Sequence, residues 1–247
     1  FKEECIRWEW AFFREELGIP AANLVASIYL DDEEAHRVWR EEIGLPEEKI
    51  FRFGEKHNFW PAEAPSKGPD GPCGPCSEIY FDADPAAPLP PPEGLEELPE
   101  GRFTEIGNMV FTQFDRRPDG SLPPLPQRNI DVGLGLERIV AVLAGAPTNF
   151  DTDLFLPYIR DLEARTGRRY GAAPEDDARL RRVADHLRCL VFALADGIRP
   201  GHEGRGYVLR RILRRAERDG GKLGLEEPFL HPMAPRVEEI MGAAYPE

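Results

Sequence analysis

Two strand-like segments joined by a turn, with no helix between them, constrain the fold of this chain more than any other feature. Residues 104–114 and 129–134 are rich in β-branched and aromatic side chains, and the intervening residues 116–121 read Arg-Arg-Pro-Asp-Gly-Ser. Pro, Asp and Gly together are typical of a turn. Strands that follow each other without an intervening helix favour an antiparallel sheet, so the sequence predicts an α+β fold and not a doubly wound one.

The preceding residues add further elements. Ile6, Trp10, Phe13 and Leu17 fall at helical spacing and predict a helix over residues 1–17. Residues 24–30 and 49–53 read as strands on either side of a helix that Asp31 and Asp32 can cap. Residues 61–76 are rich in Gly and Pro, a strand is predicted over 77–82, and the Pro-rich, acidic stretch 84–99 is expected to be a solvated loop.

Composition narrows the class of protein. The 247 residues carry a net charge of −14 and hold four cysteines, at 5, 73, 76 and 189, which is too few for a disulfide framework. No apolar run approaches the roughly 20 residues that span a bilayer, and no secretory signal is apparent. We therefore expect a cytoplasmic protein without a membrane partner. Because the chain begins at Phe1 without a methionine, we expect it to be a piece of something longer.

The character of the sequence changes after about residue 152, which predicts two domains, 1–152 and 153–247. Val183, Leu187, Leu190 and Leu194 mark an amphipathic helix. A second helix, around residues 207–216, carries many arginines. The segment from Arg199 to Asp219 contains seven arginines and only three acidic residues, so a local basic surface is expected in an otherwise acidic chain.

Residues 131–138, Asp-Val-Gly-Leu-Gly-Leu-Glu-Arg, have two physical interpretations. Glycines that alternate along a strand leave one face bare, so that a ligand can lie against the backbone. Asp131 would point to that same face by the period of two, and Arg138 would stand at its mouth, suited to phosphate. Alternatively, the glycines merely let a strand and a helix pack closely.

This segment resembles motif 3 of class II aminoacyl-tRNA synthetases. Three further segments resemble the alanyl-tRNA synthetases in particular: Asn58-Phe-Trp60, Gly-Pro-Cys73-Gly-Pro-Cys76-Ser-Glu-Ile, and Asn108-Met-Val-Phe-Thr-Gln-Phe114. Residues 185–188, 195–197 and 204–216 resemble that family's helical tRNA-recognition domain. The resemblance implies a catalytic domain over 1–152, without the part that carries motifs 1 and 2, followed by the start of the tRNA-recognition domain over 153–247.

The resemblance also implies roles. Asp131 would bind the ammonium group of alanine with Asn108 nearby, and Trp60, Val110 and Gly133 would wall a pocket for the methyl group. Arg138, with Gly133 and Gly135, would bind ATP, and Asp131 and Arg138 would serve the reaction most directly. The α-phosphate arginine of motif 2 has no counterpart here, so we expect this polypeptide alone to activate alanine very poorly.

Two metal ions are considered, Mg²⁺ with ATP and zinc at the cysteine pair. Mg²⁺ accompanies ATP in this family, and Glu105 is a candidate ligand. Cys73 and Cys76 have metal-ligand spacing, but Ala83 and Ala86 stand where some family members have histidines. Two thiolates do not close a tetrahedral site, so we expect a structural turn, or a partly occupied site, in preference to a zinc centre.

The implied macromolecular partner is tRNA(Ala). Its acceptor stem would contact the arginines at 205, 210, 211, 214 and 215 and would lie near His202. The family often carries Asn at the position of His202. A solvated, salt-bridged helix face is the alternative for these arginines. Two other functions stay open: a synthetase-like RNA-binding or regulatory paralogue without aminoacylation, and an enzyme that loads a carrier other than tRNA. The sequence does not indicate an oligomeric state.

Simpler roles are expected elsewhere. Trp8, Trp10 and Trp39 fit core packing, and Cys5 and Cys189 are expected to be small buried residues.

Overall fold

The computed structural model describes residues 1–91 and 95–246. The chain divides into two compact units, Phe1–Gly145 and Ala146–Glu247. The first unit holds a six-stranded sheet with flanking helices, and the second is helical in the described residues. The α+β fold predicted from the sequence is confirmed.

The sheet of the first unit is mostly antiparallel. Its strands are β1 (Leu24–Tyr29), β2 (Ile50–Phe53), β3 (Phe59–Trp60), β4 (Gly71–Asp82), β5 (Phe103–Arg116) and β6 (Pro124–Leu134), in the order β2-β1-β4-β5-β6, with β3 also paired to β4. Only β1 and β2 pair in parallel among the described strands. A parallel pair needs a long crossover, and here that crossover contains a helix.

Three α-helices accompany this sheet in the described residues. Helix α1 (Lys2–Ala11) continues as a π-helical turn, Phe12–Glu16. Helix α2 (Glu33–Arg37) forms the crossover and begins as expected, because Asp32 Oδ1 accepts a hydrogen bond of 3.1 Å from the backbone N–H of Ala35. Helix α3 (Leu136–Ala144) follows β6 directly.

Strand β4 begins earlier than the sequence indicates. It was predicted to start at Ser77 but starts at Gly71, so two prolines lie inside it. Pairing with β5 is regular up to Cys73 and resumes only at Cys76, and Pro75 falls in this irregular interval. A break in the ladder is where a strand can accept a residue without a backbone N–H.

The core of the first unit lies where α1 packs on β5. A Cβ atom placed on Gly107 would lie 1.9 Å from Glu9 Oε1 and 3.0 Å from Phe13 Cε2, so the glycine permits the close approach. Glu9 is only 6% exposed, and neither of its carboxylate oxygens has a hydrogen-bond partner among the described residues. The fold therefore buries an acidic group in an apolar interior.

The second unit is built from α4 (Leu156–Thr166), α5 (Pro174–Ala195), α6 (Gly204–Lys222) and α7 (Leu230–Met241). Its core joins all four helices, with Tyr158, Leu187, Leu209 and Met233 among the fully or almost fully buried side chains. No helix in the described residues is long and apolar enough to cross a membrane.

Two packing predictions were wrong. Trp8 is 71% exposed, because the buried stripe of its helix runs through Cys5, Ile6 and Glu9. Cys189 is also exposed, since it lies beside the stripe of α5 that Leu187 and Leu190 form.

Candidate functional site

Two rows of side chains cross the sheet on the face opposite α1. In the first row Ser27, Glu78, Asn108 and Gly133 pair across β1, β4, β5 and β6. In the second row Cys76, Val110 and Asp131 pair across β4, β5 and β6. Directly paired residues of antiparallel strands point to the same face. We call these seven residues the site face.

The β6 end of the site face is open. Asp131 and Gly133 are exposed, and a Cβ atom on Gly133 would meet no other atom within 4 Å. Gly135 differs, because a Cβ there would lie 3.1 Å from Cδ of Arg138. Gly133 therefore leaves bare backbone beside the Asp131 carboxylate, whereas Gly135 gives room to an arginine side chain.

Two apolar residues named by the sequence prediction differ in their position relative to the site face. Val110 lies between Cys76 and Asp131 and is 8% exposed. Trp60 is 56% exposed and pairs with Gly74 on the edge of β4 that faces away from β5. Two strands, β4 and β5, therefore separate Trp60 from Asp131 in the sheet.

Glu78 is the centre of a hydrogen-bond network. Its Oε2 accepts from Ser27 Oγ at 2.9 Å and from the Tyr80 hydroxyl at 2.6 Å. Its Oε1 accepts from Asn108 Nδ2 at 3.1 Å. Asn58 Nδ2 extends the network by donating to Ser27 Oγ at 2.8 Å. Three strands, β1, β4 and β5, thus contribute polar groups to one buried network, and Asn58 joins it from the residue before β3.

Burial sets the acidity of this network. The pKa of Glu78 is raised to about 7. Desolvation is the largest cause and the charge of the nearby Glu105 adds to it, while hydrogen bonds from Tyr80, Ser27 and Asn58 oppose the rise. Burial beside Glu78 also raises the pKa of Tyr80. The Oδ1 atoms of Asn58 and Asn108 are buried and have no hydrogen-bond partner among the described residues. Unsatisfied buried acceptors are uncommon, and that of Asn108, which belongs to a partly exposed residue, is the candidate to meet a ligand.

A β-bulge brings Glu105 to the same face. Ile79 pairs with Gly107 but Tyr80 pairs with Glu105, so Ile106 is the extra residue. Arg138 Nη1 donates to both the backbone oxygen and Oε2 of Glu105, each at 3.0 Å. The pair is partly exposed, at 45% for the arginine and 33% for the glutamate, so either partner remains accessible to a charged ligand.

The cysteine pair lacks the surroundings of a metal site. Cys73 and Cys76 are both buried, and burial raises the pKa of each thiol, which disfavours the thiolate that binds metal. Over residues 1–91 and 95–246, no group of three or more His, Cys, Asp or Glu side chains is arranged to hold a metal ion.

The arginines predicted to contact tRNA lie on α6 of the second unit. Arg205, Arg211, Arg214 and Arg215 are exposed and Arg210 is partly buried, while His202 is exposed just before the helix begins. None of these five guanidinium groups forms an ion pair within the described part of the chain. The Arg211 guanidinium lies 5.8 Å from the ring centre of Tyr207. This surface is basic and is not neutralised by its own helix.

Sequence reasoning missed three members of the site. Glu78 and Tyr80 alternate along β4, and a polar Ser27 interrupts an otherwise apolar β1. These were available signals, but the function of the three residues depends on which strands pair.

Comparison with known proteins adds an independent finding. The family model described as "tRNA synthetases class II (A)" matches residues 1–247. The chain is 50% identical over 253 residues to an alanine–tRNA ligase of Thermotoga petrophila, 49% over 248 residues to one of Acidithiobacillus ferridurans and 46% over 251 residues to one of Thermus thermophilus. In each case the match covers 100% of this chain and 28% of the relative's length.

Proposed function

This chain belongs to the class II (A) tRNA synthetases, and we propose that it provides the alanine pocket and a tRNA-binding surface of an enzyme that joins alanine to its tRNA with ATP. The proposal is supported most directly by one observation: an exposed carboxylate, an unpaired amide oxygen and a glycine with open space above it share one face of the sheet. The names of the relatives point to the same substrate.

In this proposal the amino acid binds along β5 and β6. Asp131 pairs with the ammonium group of alanine, and Oδ1 of Asn108 accepts a hydrogen bond from it. Gly133 leaves room above the strand, and Val110 and Trp60 provide the apolar boundary for a methyl group. A small apolar slot excludes larger side chains sterically but discriminates weakly against glycine and serine.

ATP binds at the neighbouring end of the site, where Gly133 and Gly135 let it approach the backbone. The alanine carboxylate attacks the α-phosphate, a new acyl–phosphate bond forms, and pyrophosphate leaves. Arg138 stabilises the negative charge on the phosphates once it exchanges its contact with Glu105 for the nucleotide. Mg²⁺ arrives with ATP, and Glu105 is the candidate ligand. Positioning and charge stabilisation supply the catalysis, so no side-chain nucleophile is required.

The second step transfers alanine from the adenylate to the 3′ end of tRNA(Ala), releasing AMP. The exposed arginines of α6, at 205, 211, 214 and 215, are proposed to contact phosphates of the acceptor stem, with Arg210 and His202 beside them. Their lack of ion pairs with other described residues supports this role over a salt-bridged helix face. A cytoplasmic location stays a prediction from the sequence.

The function is tested by titrating the chain with a non-hydrolysable alanyl-adenylate analogue, an alanyl sulfamoyl adenosine, by calorimetry. We expect saturable binding that Asp131→Asn weakens at least roughly tenfold, because a charged hydrogen bond to the ammonium group is lost. Asp31→Asn, an exposed aspartate outside the site face, serves as the matched control. Absence of binding by the unmodified chain, or equal binding by both variants, contradicts the proposal.

A further inference from the structure

The amide of Asn108 can work in the proposed pocket in only one orientation. Its oxygen accepts a hydrogen bond from an ammonium group, whereas its NH₂ group would point hydrogens at a cation. The two orientations have nearly the same shape, so packing alone does not choose between them. A neighbouring group with a strict hydrogen-bonding preference is needed.

Glu78 has that preference. An ionised carboxylate only accepts hydrogen bonds. Its Oε2 is already occupied by the hydroxyl groups of Ser27 and Tyr80, at 2.9 Å and 2.6 Å. Its Oε1 is left for Asn108, which meets it with Nδ2 at 3.1 Å. The Asn108 Oδ1 atom is consequently the end that has no partner among the described residues.

We propose that Glu78 is a positioning residue, which holds the amide of Asn108 with its oxygen toward the ammonium group of alanine. The inference rests on the proposed function and assigns Glu78 no contact with the substrate itself. Ser27 and Tyr80 act one step further back, because their hydroxyl groups hold the Glu78 carboxylate in place.

Glutamine at position 78 removes this control. Its side-chain amide both donates and accepts, so it can meet either end of Asn108. A fraction of molecules would then present NH₂ to the substrate ammonium group. Binding should weaken only for ligands that carry this group.

The experiment compares two probes on wild type and Glu78→Gln: an alanyl sulfamoyl adenosine and its propionyl counterpart, which lacks the ammonium group. We expect Glu78→Gln to weaken binding of the alanyl probe roughly ten- to hundredfold and to change binding of the propionyl probe by less than about twofold. Glu41→Gln is the matched control, because it makes the same chemical change at an exposed glutamate outside the site face. It should have a much smaller effect.

A double-mutant cycle isolates the pair. Once Asn108→Ala has removed the amide, adding Glu78→Gln should cause no further loss of the alanyl probe. An additive loss overturns the inference.

The possible failures are distinguishable. If the wild-type chain binds neither probe, the proposed function fails. If wild type prefers the alanyl probe but Glu78→Gln loses both probes equally, the function stands and the positioning role is refuted. Should the variant not fold, nuclear magnetic resonance of the wild-type chain decides: a nuclear Overhauser contact between the Asn108 NH₂ hydrogens and the Glu78 methylene groups is expected, and its absence refutes the inference.

Discussion

Replacing the buried Glu9 by glutamine should stabilise the first unit relative to wild type, and this difference should grow as the pH rises. Glu9 is 6% exposed and lies between α1 and β5, without a partner for either oxygen in the described structure. Burial raises the pKa of its carboxyl group from 4.5 to about 8. The folded state therefore keeps the proton over a range in which the unfolded chain has lost it.

The sign and size follow from proton linkage. A carboxyl group whose pKa is raised by folding stabilises the protein least at high pH: its contribution is complete below about pH 4.5 and falls until about pH 8. Within that range each unit of increase in pH lowers the free energy of unfolding of the wild type by about 1.4 kcal/mol. Glutamine does not titrate, so the advantage of Glu9→Gln over wild type should grow by roughly 2 to 3 kcal/mol between about pH 5.5 and pH 7.5.

Urea unfolding monitored by tryptophan fluorescence suits this measurement. All four tryptophans, at 8, 10, 39 and 60, lie in the unit Phe1–Gly145, so the signal reports on the sheet unit alone. Glu16→Gln, an exposed glutamate of the neighbouring helical turn, is the control and should show no such pH dependence. If the stability difference between Glu9→Gln and wild type is the same at both pH values, the buried proton has been misassigned.

Four further predictions concern the site and the helical unit. Gly133→Val should change the free energy of unfolding by less than about 0.5 kcal/mol, since its Cβ meets no atom within 4 Å, yet weaken the alanyl probe at least roughly tenfold in calorimetry; a large stability loss refutes this. Protonated Glu78 can donate a hydrogen bond, so the preference of wild type for the alanyl over the propionyl probe should fall as the pH drops through about 7 and stay flat in Glu78→Gln. Arg211→Gln combined with Arg214→Gln should lower tRNA affinity and reduce the salt dependence by about one released ion per phosphate contact, whereas the ion-paired Arg160→Gln should not. Metal analysis of the purified chain should give far less than one zinc per molecule, because burial raises the pKa of Cys73 and Cys76; stoichiometric zinc overturns that view.

Local pattern was sufficient for much of the fold. The alternation in residues 104–114 and 129–134 and the turn between them predicted the β5–β6 hairpin. The period of two along a strand places Asp131 and Gly133 on one face, and the structure has both there. The start of β4 was missed because prolines argue against a strand, and only its pairing with β3 and β5 shows where they are tolerated.

Non-local contacts decided the rest. In the sequence Glu78 is one of several alternating residues of a strand. Its hydrogen-bond partners Ser27 and Asn108 become apparent only from the pairing of β4 with β1 and β5. Glu9 lies on the stripe of α1 that Cys5 and Ile6 form, but nothing local indicates that Gly107 leaves room for its carboxyl group in the core. Trp8 shows the converse error, because an aromatic side chain on a half-buried helix was assigned to the interior without regard to the stripe that packs.

Because of the bulge at Ile106, the site depends on how many residues separate Glu105 from Asn108, and not only on which residues they are. Glu105 and Asn108 are three apart, an odd spacing that would put them on opposite faces of a regular strand, yet the bulge gives both access to one face. If the strand paired regularly with all its residues kept, Tyr80 would lie opposite Ile106 and Glu105 would turn to the other face, away from Arg138. The contact between Glu105 and Arg138 therefore depends on the bulge as well as on the two side chains.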